Sequence, residues 1–173
     1  MLSTKLITRD EIREYKQISK TANDDRLNDI IIQVQINEIR PLLGERLFDD
    51  ILTNQSNYDD LLNGSTYDSK GVTYQNYGLK AVLAYYIDAY WKMFGDVTST
   101  PYGNVTKVNL SSHSIGDSKD ITDSFKKSLF TINKQSAYNI WLNVHSFLLR
   151  TEVPLYKFWQ TKINNNLKIN RIG

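Results

Sequence analysis

Apolar positions crowd most densely between Leu79 and Phe94, in the run LKAVLAYYIDAYWKMF. Only Lys80, Asp88 and Lys92 interrupt it, at spacings that put them along one side of a helix. A helix apolar on nearly all its other sides belongs inside a bundle or against a partner. The three charges predict a solvent-facing stripe, with Asp88 and Lys92 in the favourable order for an i, i+4 pair. Gly95 predicts the stop. Beyond it, Thr100-Pro101-Tyr102-Gly103 reads as a turn leading into a β-like Val105–Leu110. The pattern therefore predicts a buried helix that delivers one projecting, turn-bounded segment, Thr100–Lys107.

The remaining pattern is mostly helical. Thr8 followed by Glu11 is a capping-box spacing and predicts a short helix over Arg9–Ile18. Asn23 is placed to cap the next helix, with Asp24, Asp25 and Asp29 at its positive end. That helix is expected to reach Arg40 with two apolar rows, Leu27/Ile30/Ile31/Val34 and Ile32/Ile36/Ile39, and so two packing partners. Pro41 is expected to break or kink it. Glu45–Leu52 continues helically with Leu47, Phe48, Ile51 and Leu52 inward.

Asn54–Thr73, rich in Asn, Ser, Gly, Asp and Tyr, reads as irregular, with one helical turn at Tyr58–Leu62. A two-stranded ribbon is expected across Asn104–Ser118, and two strands alone need support from the body or a neighbour. Ile121–Ile132 fits helix or loop. Lys134–Arg150 is clearly helical through Ala137, Ile140, Trp141, Val144, Phe147 and Leu148. Pro154 starts a last amphipathic helix through Leu155, Tyr156, Trp159, Ile163 and Leu167. The expected fold is mainly α: a bundle of four to six helices with an inserted two-stranded β ribbon or loop. It divides into a helical domain over 1–156, with the ribbon projecting at about 100–118, and a basic C-terminal helix or tail over 157–173.

A chain of 173 residues is most simply one domain. It contains no cysteine, which excludes a disulfide scaffold and thiolate chemistry and suits a reducing cytosol. The N-terminus has no signal-peptide core and the longest apolar run carries charges, so a soluble intracellular protein without membrane contact is expected. The net charge of +2 conceals an asymmetry. Residues 1–60 carry 8 basic and 12 acidic side chains, residues 61–120 carry 5 of each, and residues 121–173 carry 8 and 2. An acidic front and a basic back suit head-to-tail self-association. They equally suit an unevenly charged, solvated surface.

No catalytic pattern emerges. His113 and His145 are the only histidines and have no cysteine to join them, so a zinc site is not expected and His145 reads as packed or surface. Neither phosphate-binding glycine motif occurs, nor the G-x-S-x-G of a hydrolase. Asp24-Asp25, Asp49-Asp50 and Asp59-Asp60 are adjacent, and adjacent residues on a helix diverge by about 100°, unlike a general acid and base. N-x-[ST] at Asn54, Asn63, Asn104 and Asn109 follows from an Asn-rich composition. A basic C-terminal third leaves one alternative, a DNA-binding accessory or regulatory helical protein of a phage or its host. No helix-turn-helix with a basic recognition helix supports sequence reading.

One arrangement does carry a resemblance. A helix ending near a glycine (Asn23–Gly44) and a polar connection precede GLKAVLAYYIDAYW. Then come Thr-Pro-Tyr-Gly, Val-Thr-Lys, a Ser-rich ribbon and a Tyr/Trp-rich helix pair. This order, from roughly Asp10 to Trp159, resembles the head-to-tail connector proteins of tailed bacteriophages, closest to those of Bacteroidetes phages including the crAss-like group. The resemblance implies a non-catalytic, cofactor-free virion protein of the neck, assembled in the host cytoplasm as a ring of twelve identical subunits. Such a ring extends the DNA channel, touches the genome passively, binds the portal protein on one side and receives the next neck or tail protein on the other. By the same analogy, Thr100, Pro101, Tyr102, Gly103, Val105 and Lys107 contact neighbouring subunits or the next ring, and Lys157, Lys162, Lys168 and Arg171 contact the portal. The tail after Trp159 matches no signature.

Overall fold

Thr8 opens the first helix, α1 (Arg9–Tyr15), through the reciprocal cap that its spacing predicts. The Glu11 amide donates to the Thr8 hydroxyl at 3.4 Å, and the Thr8 amide donates to the Glu11 carboxylate at 2.7 Å. The computed structural model describes residues 4–18, 23–95, 97–100, 103–106 and 123–156. Asn23 caps α2 (Asp24–Val34) by accepting from the Arg26 amide at 3.0 Å.

Pro41, expected to break or kink the helix, does not break it. α2 runs into a π turn, Gln35–Ile39, and on into α3 (Arg40–Leu43). The wide turn lies directly ahead of Pro41, whose ring and missing N–H an ordinary helix interior resists. Its extra residue rotates the next turn of helix and splits the expected second apolar row. Ile39 is fully buried, whereas Ile36 is 40% exposed. Gln35 is turned inward with no exposure, where its side chain accepts from the Leu6 amide at 2.7 Å and donates to the Thr4 carbonyl at 3.1 Å. Both bonds pin the N-terminal strap, and Leu6 and Ile7 enter the core.

α4 (Glu45–Thr53) buries Leu47, Phe48 and Ile51, as its spacing predicts. A 3-10 turn, Gln55–Tyr58, and α5 (Asp59–Asn63) enlarge the single turn expected there. The rest of that stretch is not irregular: β1 (Ser65–Ser69) pairs antiparallel with β2 (Val72–Asn76), with Tyr67 opposite Tyr74. Lys70 and Gly71 turn the hairpin at φ 52° and 76°, the sign at both positions that a tight two-residue turn between twisted strands demands. At its base the backbones of Gly64 and Gly78 nearly touch: a Cβ on Gly78 would lie 2.7 Å from the Gly64 nitrogen.

α6 (Leu79–Phe94) spans the residues expected of the central helix and packs against α1, α2, α5 and α7 (Asp123–Arg150). Its charged side is not the expected wet stripe. α1 lies over it, Lys80 pairs with Glu11 at 2.5 Å, and Asp88 is only 1% exposed. The Asp88 carboxylate meets Lys92 at 2.8 Å, the expected i, i+4 pair, and Lys16 of the chain beyond α1 at 3.8 Å. A charged stripe marks where water or a polar neighbour goes, and here the neighbour wins. After α6, β3 (Val97–Thr100) pairs with β4 (Gly103–Thr106). The ribbon thus starts ahead of the expected Asn104–Ser118, and residues 107–118 lie outside the described residues. α7 begins well before the expected Lys134, so the ambiguous stretch joins it from Asp123 onward. Of the last expected helix, only the part up to Tyr156 falls within the described residues. The molecule is a mainly helical bundle with small antiparallel hairpins, and no helix among the described residues is long and apolar enough to cross a membrane.

Candidate functional site

The end of α6 is held from three sides before the second hairpin begins. Arg26 donates to the Phe94 carbonyl at 3.1 Å, occupying an acceptor that the helix terminus leaves open. Phe94 and Tyr90 meet Phe130 of α7 edge-on and lie tilted to each other, with ring centroids 5.4–6.2 Å apart. Glu38, which the π turn brings against α6 and α7, accepts from the Tyr90 hydroxyl and from Lys134, each at 2.6 Å. Burial first, and the Glu38 carboxylate second, push the Tyr90 hydroxyl pKa up. From this braced end the chain enters β3. Thr100 and Gly103 are paired at the strand ends, and Thr98 is opposite Val105. Thr100, Gly103 and Val105 therefore share one hairpin. Pro101, Tyr102, Lys107, Lys157, Lys162, Lys168 and Arg171 lie outside the described residues, as does His113.

The first hairpin, which sequence reasoning missed, is riveted to the C-terminal half of α7. Tyr67 stacks on Tyr74 at 5.7 Å and meets Phe147 edge-on at 5.0 Å. The Arg150 guanidinium lies 3.8 Å above the Tyr74 ring and donates to the Tyr67 hydroxyl at 3.1 Å. Asn143 accepts from the Tyr77 amide and donates to the Gln75 carbonyl, both at 2.9 Å. Those bonds use edge groups that a hairpin otherwise exposes. The available signal was tyrosines symmetric about Lys70-Gly71.

Between this hairpin, the Gln55–Tyr58 turn, α5 and the end of α7 lies a half-open cleft of about 510 Å³. Its apolar floor is Tyr58, Leu61, Tyr67 and Phe147, with Val153 at one edge. Tyr58 is fixed by donating to the Asp50 carboxylate, and burial together with that carboxylate pushes the phenol up to about 12. Asp59 and Asp60 stand exposed on the cleft wall. The adjacent carboxylates do not converge: Asp50 serves Tyr58 and Asn54, and Asp59 accepts from Asn63 at 2.5 Å. Among the described residues no group of three or more His, Asp or Glu side chains is placed to hold a metal ion.

Beyond α7 the chain turns at Glu152 (φ 55°) and Pro154, and Tyr156 packs back, 1% exposed, against Trp141 and His145. The Tyr156 hydroxyl is hydrogen-bonded to His145 Nδ1. His145 is thus a packed histidine, its pKa lowered by burial. Elsewhere α7 keeps Ile132, Tyr138, Leu142 and Leu149 at 44–60% exposure, and Tyr77 beside it at 53%. Tyr138, Leu142 and Leu149 fall on one side of the helix by their spacing, and apolar side chains exposed along one face are a feature of association surfaces.

Neither the curated proteins nor the solved structures return a match to this chain. A family model does, over residues 39–166, which takes in α3 to α7 and both hairpins and omits α1 and α2. The chain belongs to that family, DUF6712, a family of unknown function.

Proposed function

We propose that the protein is a structural component of a tailed-phage virion, forming an oligomeric ring between portal and tail that joins head to tail and lengthens the DNA channel. The observation that carries this reading is the junction at residues 79–106, where a helix buried on nearly every side passes into a short hairpin containing Thr100, Gly103 and Val105. That is the arrangement on which the resemblance to connector proteins rests. The exposed apolar side chains of α7 add support, since a subunit of a ring must keep apolar surface for its neighbours. In this reading the protein has no catalytic role and no cofactor. Its partners are further copies of itself, the portal, the next neck or tail protein, and DNA passing through the channel.

The test is co-expression with the portal protein of the same phage, followed by native mass spectrometry and electron microscopy. Rings seated on the portal are expected. A chain that stays monomeric and never co-assembles with portal would overturn the reading. The DNA-binding alternative is motivated by the basic C-terminal third, residues 121–173, with 8 basic and 2 acidic side chains. It predicts a gel shift that strengthens as salt falls, and no shift at low salt would remove it.

A further inference from the structure

The cleft between the first hairpin and the end of α7 has a chemistry that the ring reading alone does not use. Its floor is aromatic and aliphatic, and its open wall is acidic. Among the described residues neither Asp59 nor Asp60 has a cationic partner: the side chain of Asp59 holds only Asn63, and that of Asp60 makes no hydrogen bond. The wall is also rigid. Asn76, 2% exposed, donates to the Asp60 carbonyl at 2.7 Å, and Asp50 fixes Tyr58 beside it. Two unneutralised carboxylates on a rigid backbone wall beside an apolar floor suit an extended segment that alternates cations with apolar side chains.

This chain carries such a segment. Residues 157–173, KFWQTKINNNLKINRIG, hold four cations, no acid, and six large apolar side chains. Their root is visible. Val153 borders the cleft, but the chain then turns back so that Tyr156 is anchored on Trp141 and His145, positions that lie more than a quarter-turn around α7 from the cleft's Phe147. Tyr156, the last described residue, is therefore anchored on a face of α7 other than the one that lines the cleft. Fully extended, its residues reach on the order of 55 Å, enough to enter the cleft of another molecule.

We infer that the cleft of one subunit receives the basic C-terminal segment of a second copy of this chain, its cations meeting Asp59 and Asp60 and its apolar side chains meeting the Tyr58–Tyr67–Phe147 floor. A tail-into-cleft contact is heterologous: each subunit both gives and receives, so repetition yields a closed ring or an open filament. The inference rests on the self-assembly in the proposed function and names where the subunits join.

The test uses two full-length charge-reversed proteins. One carries Asp59→Lys and Asp60→Lys. The other carries Lys157→Glu, Lys162→Glu, Lys168→Glu and Arg171→Glu. Sedimentation velocity at low salt is expected to show the unaltered protein associated, and each variant alone at least tenfold weaker. An equimolar mixture of the two should associate again, because every junction then joins opposite charges. A tail docked on its own molecule gives no recovery on mixing, so that result overturns the inference, as do variants that associate like the parent or a parent that is monomeric. The substituted positions in the cleft are exposed, and circular dichroism checks folding. Should Asp59→Lys/Asp60→Lys fail that check, Asp59→Asn/Asp60→Asn is expected to weaken association in the same direction, and unchanged association of that pair overturns the inference. Portal binding is measured separately: variants that still form rings on the portal would refute this junction while leaving the ring reading intact.

Discussion

Asp88 shows how much one charge demands when packing covers it. Asp88 is 1% exposed and, among the described residues, has Lys92 and Lys16 to balance its carboxylate; Lys16 also lies 3.7 Å over the Tyr85 ring. Removing the cations from a buried carboxylate leaves an uncompensated charge, which costs about 3–5 kcal/mol. The double variant Lys16→Met/Lys92→Met is therefore expected to lose stability on that scale in urea denaturation. Lys92→Met alone should lose less, because Lys16 remains.

His145 supplies the upper limb of the pH response. Burial lowers its pKa from the ordinary value near 6.5, so the unfolded chain takes up the proton first. Its contribution to stability is complete above about pH 6.5 and is lost as pH falls through the folded-state value. Glu11 adds a second acid limb. Burial opposes its ionisation, but Lys80 and Thr8 hold its carboxyl below the usual range, so that contribution fades below about pH 4.5. His145→Gln is expected to flatten the decline of melting temperature between about pH 7 and pH 5 while leaving the steeper loss below about pH 4.5. An unchanged upper limb would remove His145 from the response.

Among elements, the contrast between α6 and the first hairpin is instructive. The bounds of α6 were legible because sixteen residues with three charges allow few other solutions, and Ala84, fully buried, leaves room for close helix contact. The hairpin at 65–76 was not legible, since its strands are polar and bury no apolar side chain fully. What holds it is remote in sequence: Phe147, Arg150 and Asn143 of α7, and the meeting of Gly64 with Gly78. At Gly78 both constraints coincide, a φ of +84° and no space for a Cβ. Gly78→Ala is expected to destabilise the protein by more than about 1 kcal/mol. Hydrogen exchange should report loss of protection across 65–76 first.

For the whole molecule, the division between body and tail sets the expectation. Tyr156 is the last buried anchor among the described residues, and the family match ends at residue 166. Deleting residues 164–173 removes two of the four tail cations and none of the described core. The shortened chain is expected to keep its helical circular dichroism and melting temperature, and to assemble poorly with itself and with the portal. Full assembly would take this segment out of the interfaces.

Periodicity and capping chemistry in the sequence determined the helical class, the span of α6, the cap at Thr8, the inward faces of α4 and the second half of α7, and the segregation of charge towards the two ends. Those are local properties: a repeat of 3.6 residues and a hydroxyl three residues before a glutamate act within one or two turns. Only the tertiary structure decided that the charged side of α6 is covered by α1, that Pro41 is passed on a π turn, that a polar stretch becomes a hairpin, and that an aromatic-floored, acidic-walled cleft opens beside α7. Except for the π turn, which adjoins the proline that it accommodates, each of these depends on contacts between residues far apart in the chain. Their free energy belongs to the pair of elements, and neither element alone encodes it.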